Sequence, residues 1–242
     1  MIEVDGLAKR YGDVHAVSVA SFTAEDGHIT GIRGPNGAGK TTTLRMLSSL
    51  VVPDAGSARV DGIDVHRSPS EARSRLGVLP DSRGLYPRLT AREHMHYFGK
   101  LQGLTRTALE ARTESLIETL DMRGIIDRRT EGFSQGERTK VAIARALIHS
   151  PTNVILDEPT NGLDVMSTRA MRTVVQSLAK AGVCVLFSTH VMQEVSALCD
   201  SIVIFRAGKV LLQGSRNEIL AQGGSSSLEE AFVHLLGGEG LK

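Results

Sequence analysis

The stretch Gly34-Pro35-Asn36-Gly37-Ala38-Gly39-Lys40-Thr41 constrains this chain more than any other. It matches G-x-x-x-x-G-K-[ST] in full. It stands between an apolar run, His28-Ile29-Thr30-Gly31-Ile32, and a segment with apolar residues at Leu44, Leu47 and Leu50. That order predicts strand, tight loop, helix. Glycines let backbone N–H groups curl round an anion, and the start of the following helix adds a favourable dipole. In such a loop Lys40 reaches the outer phosphates of a nucleotide and the Thr41 hydroxyl meets Mg²⁺. Gly34, Asn36, Gly37, Ala38, Gly39 and Thr42 complete the cradle. Arg33, directly before Gly34, is an unusual charge at a strand end and takes no role in this reading.

The rest of the chain fits an α/β protein. IEVDGLAKRY and SVASFTAEDGHITGI alternate like strands with a turn at Asp26-Gly27, and SARVDGIDV reads as a further strand pair around Asp61-Gly62. From about Thr90 to Ile148 the pattern is helical, with apolar residues three and four apart. NVILDE and VCVLFSTH are continuous apolar runs, as in parallel strands buried on both faces, with the crossover helix TRAMRTVVQSLAK between them. SIVIFRAGKVLLQGS reads as a hairpin turning at Ala207-Gly208, GGSSS as a flexible linker, LEEAFVHLL as a short helix and GGEGLK as a frayed end. No internal repeat is visible, so 242 residues carry one nucleotide-binding unit.

Composition excludes several classes. Apolar residues make up 41% and charged residues 23%, as in soluble globular proteins, and a net charge of +1 gives no footprint for nucleic acid or anionic lipid. Apolar runs such as Val203-Ile204-Phe205 fall far short of the roughly 20 residues that span a bilayer. The opening MIEVDGLAKRYG lacks the apolar core of a signal peptide, so a cytoplasmic location is expected. Cys184 and Cys199 lack CxxC spacing and read as buried, unbridged thiols.

Two further segments narrow the chemistry. Val154-Ile155-Leu156-Asp157-Glu158 is an apolar strand ending in two carboxylates, with Asp157 placed to hold Mg²⁺ and Glu158 to polarise an attacking water. Phe133-Ser134-Gln135-Gly136-Glu137, followed by RTKVAIARALI, resembles the signature LSGGQ of ABC ATPases. Phe replaces Leu, Gln135 the first Gly and Glu137 the Gln, while Ser134 and Gly136 are retained. Asn161-Gly162-Leu163-Asp164 resembles the family's D-loop, His190 its switch histidine and Tyr11 the aromatic residue that stacks on adenine. One position departs: where the family has Gln in the loop joining core and helical subdomain, this chain has Asp81, which reads as a shorter, anionic variant near Mg²⁺.

The resemblance runs from Tyr11 to near Gly214. It implies a RecA-like P-loop NTPase core with an antiparallel β subdomain and an inserted α-helical subdomain. The ATP-binding domain would cover residues 1–220, with the helical part about 82–150, followed by a linker and short helix over 221–242. It also implies composite sites: Lys40, Asp157, Glu158 and His190 from one chain, Ser134 and Gly136 from another, with ATP and Mg²⁺ between them. The partners are then a second ATPase subunit, identical or homologous, and integral membrane permease subunits on separate chains. The chain itself would sit peripherally on the inner face of the cell membrane. Gly84-Leu85-Tyr86-Pro87-Arg88-Leu89-Thr90-Ala91-Arg92-Glu93 is similar to a segment of sodium-exporter and ABC-2-type drug-exporter ATPases. Leu85 and Tyr86, flanked by Arg83 and Arg88, suit a surface where a membrane subunit docks. The alternative is a soluble ABC ATPase acting on ribosomes, DNA or cluster assembly; no coiled-coil or zinc insertion and no second unit favours it.

Overall fold

The computed structural model describes residues 1–82 and 84–237. Arg83 and the end of GGEGLK, for which a docking flank and fraying are expected, lie outside the described residues. The chain opens with an antiparallel hairpin, β1 (Ile2–Tyr11) and β2 (Val14–Ala24). Alternation along β1 buries Ile2, Val4 and Leu7. β3 (Ile29–Arg33) leads through the glycine-rich loop into α1 (Lys40–Leu47). β4 (Ala55–Val60), β5 (Ile63–Asp64), α2 (Pro69–Ser74) and β6 (Leu76–Leu79) follow.

Between β6 and β7 (Asn153–Asp157) the chain forms three helices, α3 (Ala91–Leu101), α4 (Arg106–Thr119) and α5 (Gln135–Leu147). α6 (Val165–Lys180) then crosses over to β8 (Cys184–Ser188), and α7 (Met192–Leu198) to β9 (Ser201–Arg206). β10 (Lys209–Ser215), α8 (Arg216–Gly223) and α9 (Leu228–Leu235) end the described chain.

Among the described residues the strands form one sheet in the order β5-β4-β1-β2-β10-β9-β3-β8-β7-β6. β6, β7, β8, β3 and β9 run parallel, and β7 and β8 are buried along their whole length. The period of two divides the core. Val154 and Leu156 face a cluster shared with the α3–α6 helices, whereas Ile155 faces one shared with α1 and the N-terminal strands. Three consequences follow for the site: β3, β8 and β7 are successive neighbours, their C-terminal ends lie together, and they lead into Gly34–Thr41, His190 and Asp157-Glu158, the segments singled out in the sequence.

Two expectations differ from the structure. α1 stops at Leu47, and Leu50, expected on its apolar face, is 66% exposed. The Ser48 hydroxyl donates to the Leu44 carbonyl (2.8 Å) and Ser49 takes φ +57°, so local serine chemistry and a left-handed residue end the helix. The GGSSS stretch is a tight turn rather than a free linker. Gly223 ends α8 packed against Ala231, Gly224 caps it in the left-handed region, and the Ser225 hydroxyl donates to Glu230 (2.6 Å). The apolar residues on either side drive this: Ile219, Leu228 and Phe232 join Val195, Ile202 and Ile204 in a third core cluster.

Candidate active site

The loop after β3 wraps closely because two glycines admit backbone that no side chain would. A Cβ on Gly34 would stand 2.5 Å from the Phe205 carbonyl oxygen, and one on Gly39 2.6 Å from that of Ala16. Gly39 also has φ +101° and serves as the N-cap of α1. It offers no side-chain cap, and the first turn of α1 holds no acidic residue. By contrast Thr90, Ser134, Asp164 and Ser215 each accept a backbone N–H at the starts of α3, α5, α6 and α8. The N–H groups at α1 are therefore left for an anion, where the helix dipole favours one.

Lys40 is buried, and its Nζ donates to the carbonyls of Gly34 (2.7 Å) and Pro35 (3.0 Å), curling over the loop. Burial lowers its pKa, Glu158 and Asp157 pull it back up, and Arg33 opposes them. Asp157 ends β7. Its Oδ1 accepts from the Ser188 hydroxyl (2.5 Å), and the Thr41 hydroxyl also bonds to it. Burial raises the Asp157 pKa, and the charges of Asp81 and Glu158 raise it further against those two hydrogen bonds. Glu158 sits at φ +48°, in the left-handed region that costs a branched or long side chain of order 1 kcal/mol. Its amide donates to the Ser188 hydroxyl (3.1 Å), and its carboxylate Oε2 lies 2.7 Å from Nδ1 of His190.

An open pocket of about 610 Å³ is lined by Asn36, Gly37, Lys40, Thr41, Asp81, Glu158, Asn161 and His190, among others, and Asp157 lines the neighbouring cavity with Thr41 and Asp81. Strand order explains the assembly: β7 and β8 pair in register, Asp157 opposite Ser188, so Asp157-Glu158 and Thr189-His190 emerge side by side. Tyr11 stands outside the wall. It is 48% exposed at the end of β1, opposite Val14, and the wall on that side is Val14, His15 and Ala16.

Ser134 and Gly136 are also outside the pocket, at the start of α5. The Ser134 hydroxyl oxygen accepts the Glu137 amide (3.2 Å), and the Glu137 carboxylate accepts the Ser134 amide (2.8 Å) and also bonds the Ser134 hydroxyl, which together hold its pKa below the ordinary carboxylate value. Arg128 neutralises Glu137 at 2.9 Å. Gly162 of the 161–164 loop lies against Gln135, so the two segments form one surface. Sequence reasoning missed Ser188 and Thr189. Their signal was two hydroxyls ending an apolar strand just before His190.

On the docking segment, Leu85 packs against the helical core while Tyr86 is 51% exposed. The Tyr86 ring stacks on buried His94 at 5.6 Å, and its amide donates to Nε2 of His94 (2.9 Å). Burial lowers the His94 pKa, which keeps the ring neutral and able to accept. No described helix is long and apolar enough to cross a membrane.

Comparison with known proteins places this geometry. Residues 17–161 match the family model described as "ABC transporter". The chain is 44% identical over 241 residues to the ABC transporter ATP-binding protein NatA of Bacillus subtilis (strain 168), covering 98% of each. It is 36% identical to the daunorubicin resistance ATP-binding protein DrrA3 of Streptomyces coeruleorubidus, covering 94% of this chain and 72% of that one. A solved ATP-binding subunit of an ABC transporter superposes with a TM-score of 0.90 at 29% identity, covering 97% of this chain and 99% of that chain. Likeness that extends over almost the whole of both chains, in sequence and in fold, accounts for the cradle and for what stands around it: this chain belongs to the ABC transporter family, as an ATP-binding, ATP-hydrolysing subunit.

Proposed function

We propose that this chain drives an exporter of the sodium or drug type, closing as a dimer over two ATP molecules and acting on membrane subunits carried by separate chains. The observation that carries the dimer is the position of Ser134. It stands at the N-terminus of α5, where the helix dipole favours an anion, yet it is no part of the lining of its own chain's pocket, so an anion bound there comes from a second copy or a homologue. In this reading Lys40 and the α1 amides hold the outer phosphates, Tyr11 meets the adenine, and Glu158 orients and deprotonates the attacking water. His190, held by Glu158, contacts the γ-phosphate, so that its loss is felt at the 189–191 segment. ATP favours the closed dimer because both chains bind its charge, and hydrolysis removes that differential affinity.

The donor set suits Mg²⁺. Thr41 and Asp157 are hard oxygen ligands beside a phosphate cradle, and the mutual repulsion of Asp81, Asp157 and Glu158 is relieved by a cation. Mg²⁺ would be held by Thr41 and Asp157, with Asp81 nearby, and would neutralise charge developing on the phosphates. Asp81→Asn is expected to change the Mg²⁺ dependence of ATPase activity; an unaltered titration would remove Asp81 from the site.

The export reading rests on the similarity of residues 84–93 to exporter ATPases and on the likeness to a daunorubicin resistance ATP-binding protein. Exposed Tyr86 is the docking contact, on the cytoplasmic side of the membrane. The test is to purify tagged Glu158→Gln protein from its native host in detergent with ATP and Mg²⁺. A stoichiometric multi-span membrane protein supports the reading and opens the way to the cargo. Recovery with ribosomes or soluble assemblies alone overturns it.

A further inference from the structure

Arg33 is the residue that neither the family pattern nor the proposed mechanism uses, and its surroundings give it a task. It ends β3, where alternation puts Ile29, Gly31 and Arg33 on one face; a Cβ on Gly31 would meet Cys199 Sγ at 2.5 Å, which identifies that face as the one under α7. A guanidinium half-buried there is costly unless partnered. The partners are few. Nη1 donates to the Thr189 carbonyl at 3.3 Å, the ring of Phe232 lies 4.9 Å from Cζ, and Glu158 and Glu229 supply negative charge. Nε is buried with no hydrogen-bond partner among the described residues.

Thr189 is the hinge of this arrangement. Its hydroxyl donates to buried Glu194 (2.6 Å) and accepts the Val191 amide (3.0 Å), while its own amide reaches the Ile32 carbonyl (3.4 Å). Arg33 takes the remaining group, the carbonyl that belongs to the peptide joining Thr189 to His190. From there the ring of His190 reaches Glu158 at 2.7 Å. Behind Arg33, Phe232 belongs to α9, which packs through Leu228 and Phe232 on Val195 of α7, the helix that starts just after His190.

We infer that Arg33 is a positioning residue for hydrolysis: clamped by Phe232 of the C-terminal helix, it fixes the Thr189–His190 peptide and thereby the Glu158–His190 pair, coupling the α8–α9 hairpin to turnover. This inference rests on the assignment of Glu158 and His190 to hydrolysis. A role confined to folding makes a different forecast: Arg33→Met would then lower Tm and the folded fraction while kcat per folded molecule stayed unchanged.

The test measures kcat, KM for ATP and thermal unfolding of the full chain for Arg33→Met, Arg33→Lys, Phe232→Leu and the Arg33→Met/Phe232→Leu double variant. Arg33→Met is expected to lower kcat about tenfold, the scale of one charge-assisted hydrogen bond to the switch segment, with KM within about twofold and no loss of Tm. Arg33→Lys restores part of kcat. Phe232→Leu lowers kcat in the parent but adds nothing in the Arg33→Met background. A wild-type kcat for Arg33→Met, a fall matched by lost folded protein, or additive effects of the two substitutions each overturn the inference. Glu158→Gln in the same series separates the two levels. If it is inactive and Arg33→Met is fully active, this inference alone fails; if Glu158→Gln turns over normally, the hydrolytic assignment fails and this one with it.

Discussion

Replacing Glu158 by Gln isolates charge from shape. The amide is isosteric, tolerates the same φ of +48°, and its oxygen still accepts from His190 at the 2.7 Å position. The His190 side of the contact is largely solvent-exposed, so weakening this hydrogen bond changes folding by about 1 kcal/mol or less, and Tm stays within a few degrees. Nucleotide binding is preserved or tightened. Glu158 is one of the charges that raise the Asp157 pKa, so its removal lets Asp157 fall towards the ordinary carboxylate value and stay ionised for a cation. It also removes a negative charge from beside the γ-phosphate. The loss falls on proton abstraction from water, where a positioned base contributes 10²–10⁴-fold. Turnover should therefore drop about 10³-fold, or ~4 kcal/mol of barrier. Single-turnover hydrolysis reads the rate, and size-exclusion chromatography in saturating ATP and Mg²⁺ reads the assembly, expected as a closed dimer. Turnover within tenfold of wild type would refute the general base. A monomer in ATP would refute the composite site.

The remaining predictions probe other parts of the same argument. Ser134→Ala removes the α5 cap, costing about 1 kcal/mol, and Lys40→Ala empties the cradle, so each alone hydrolyses ATP poorly without trapping the dimer. An equimolar mixture of the two should regain activity, because a mixed dimer contains one intact site; no recovery on mixing would argue for sites within single chains. Tyr86→Asp should abolish membrane recruitment while sparing soluble ATPase activity and Tm, since Tyr86 lies on the exposed side of the His94 stack; unchanged co-fractionation with membranes would reject the docking role. Burial pushes the thiols of Cys184 and Cys199 up to about 12, so at pH 8 native protein should react with a disulfide reagent far more slowly than unfolded protein. Because both folded pKa values are raised above the free-thiol value, the same shifts predict stability that is intact below pH 9 and is lost as pH climbs towards 12.

Much of the site was legible in the residue order, because its parts are local. The loop from Gly34 to Thr41 needs glycines at fixed spacings, and the Asp157-Glu158 pair needs only an apolar run to deliver it to an edge. The hairpin turning at Ala207-Gly208 announced itself by its own turn chemistry. Such signals are carried by neighbours in the chain, so no knowledge of the sheet is required to read them.

Tertiary structure alone decided which of these pieces meet. β3 lies between β8 and β9, both far along the chain, and that order brings Lys40, Glu158 and His190 around one pocket, with Asp157 and Ser188 hydrogen-bonded beside it, while leaving Ser134 outside its lining. The GGSSS turn read as a linker because its composition is flexible in isolation; burial of Phe232 and Leu228 against β9 and α7 fixed it. Arg33 carried no interpretable signal for the same reason. Its partners, Thr189 and Phe232, are supplied by segments remote in sequence, and only the packing of the C-terminal hairpin over the sheet placed a ring on one side of its charge and a carbonyl on the other.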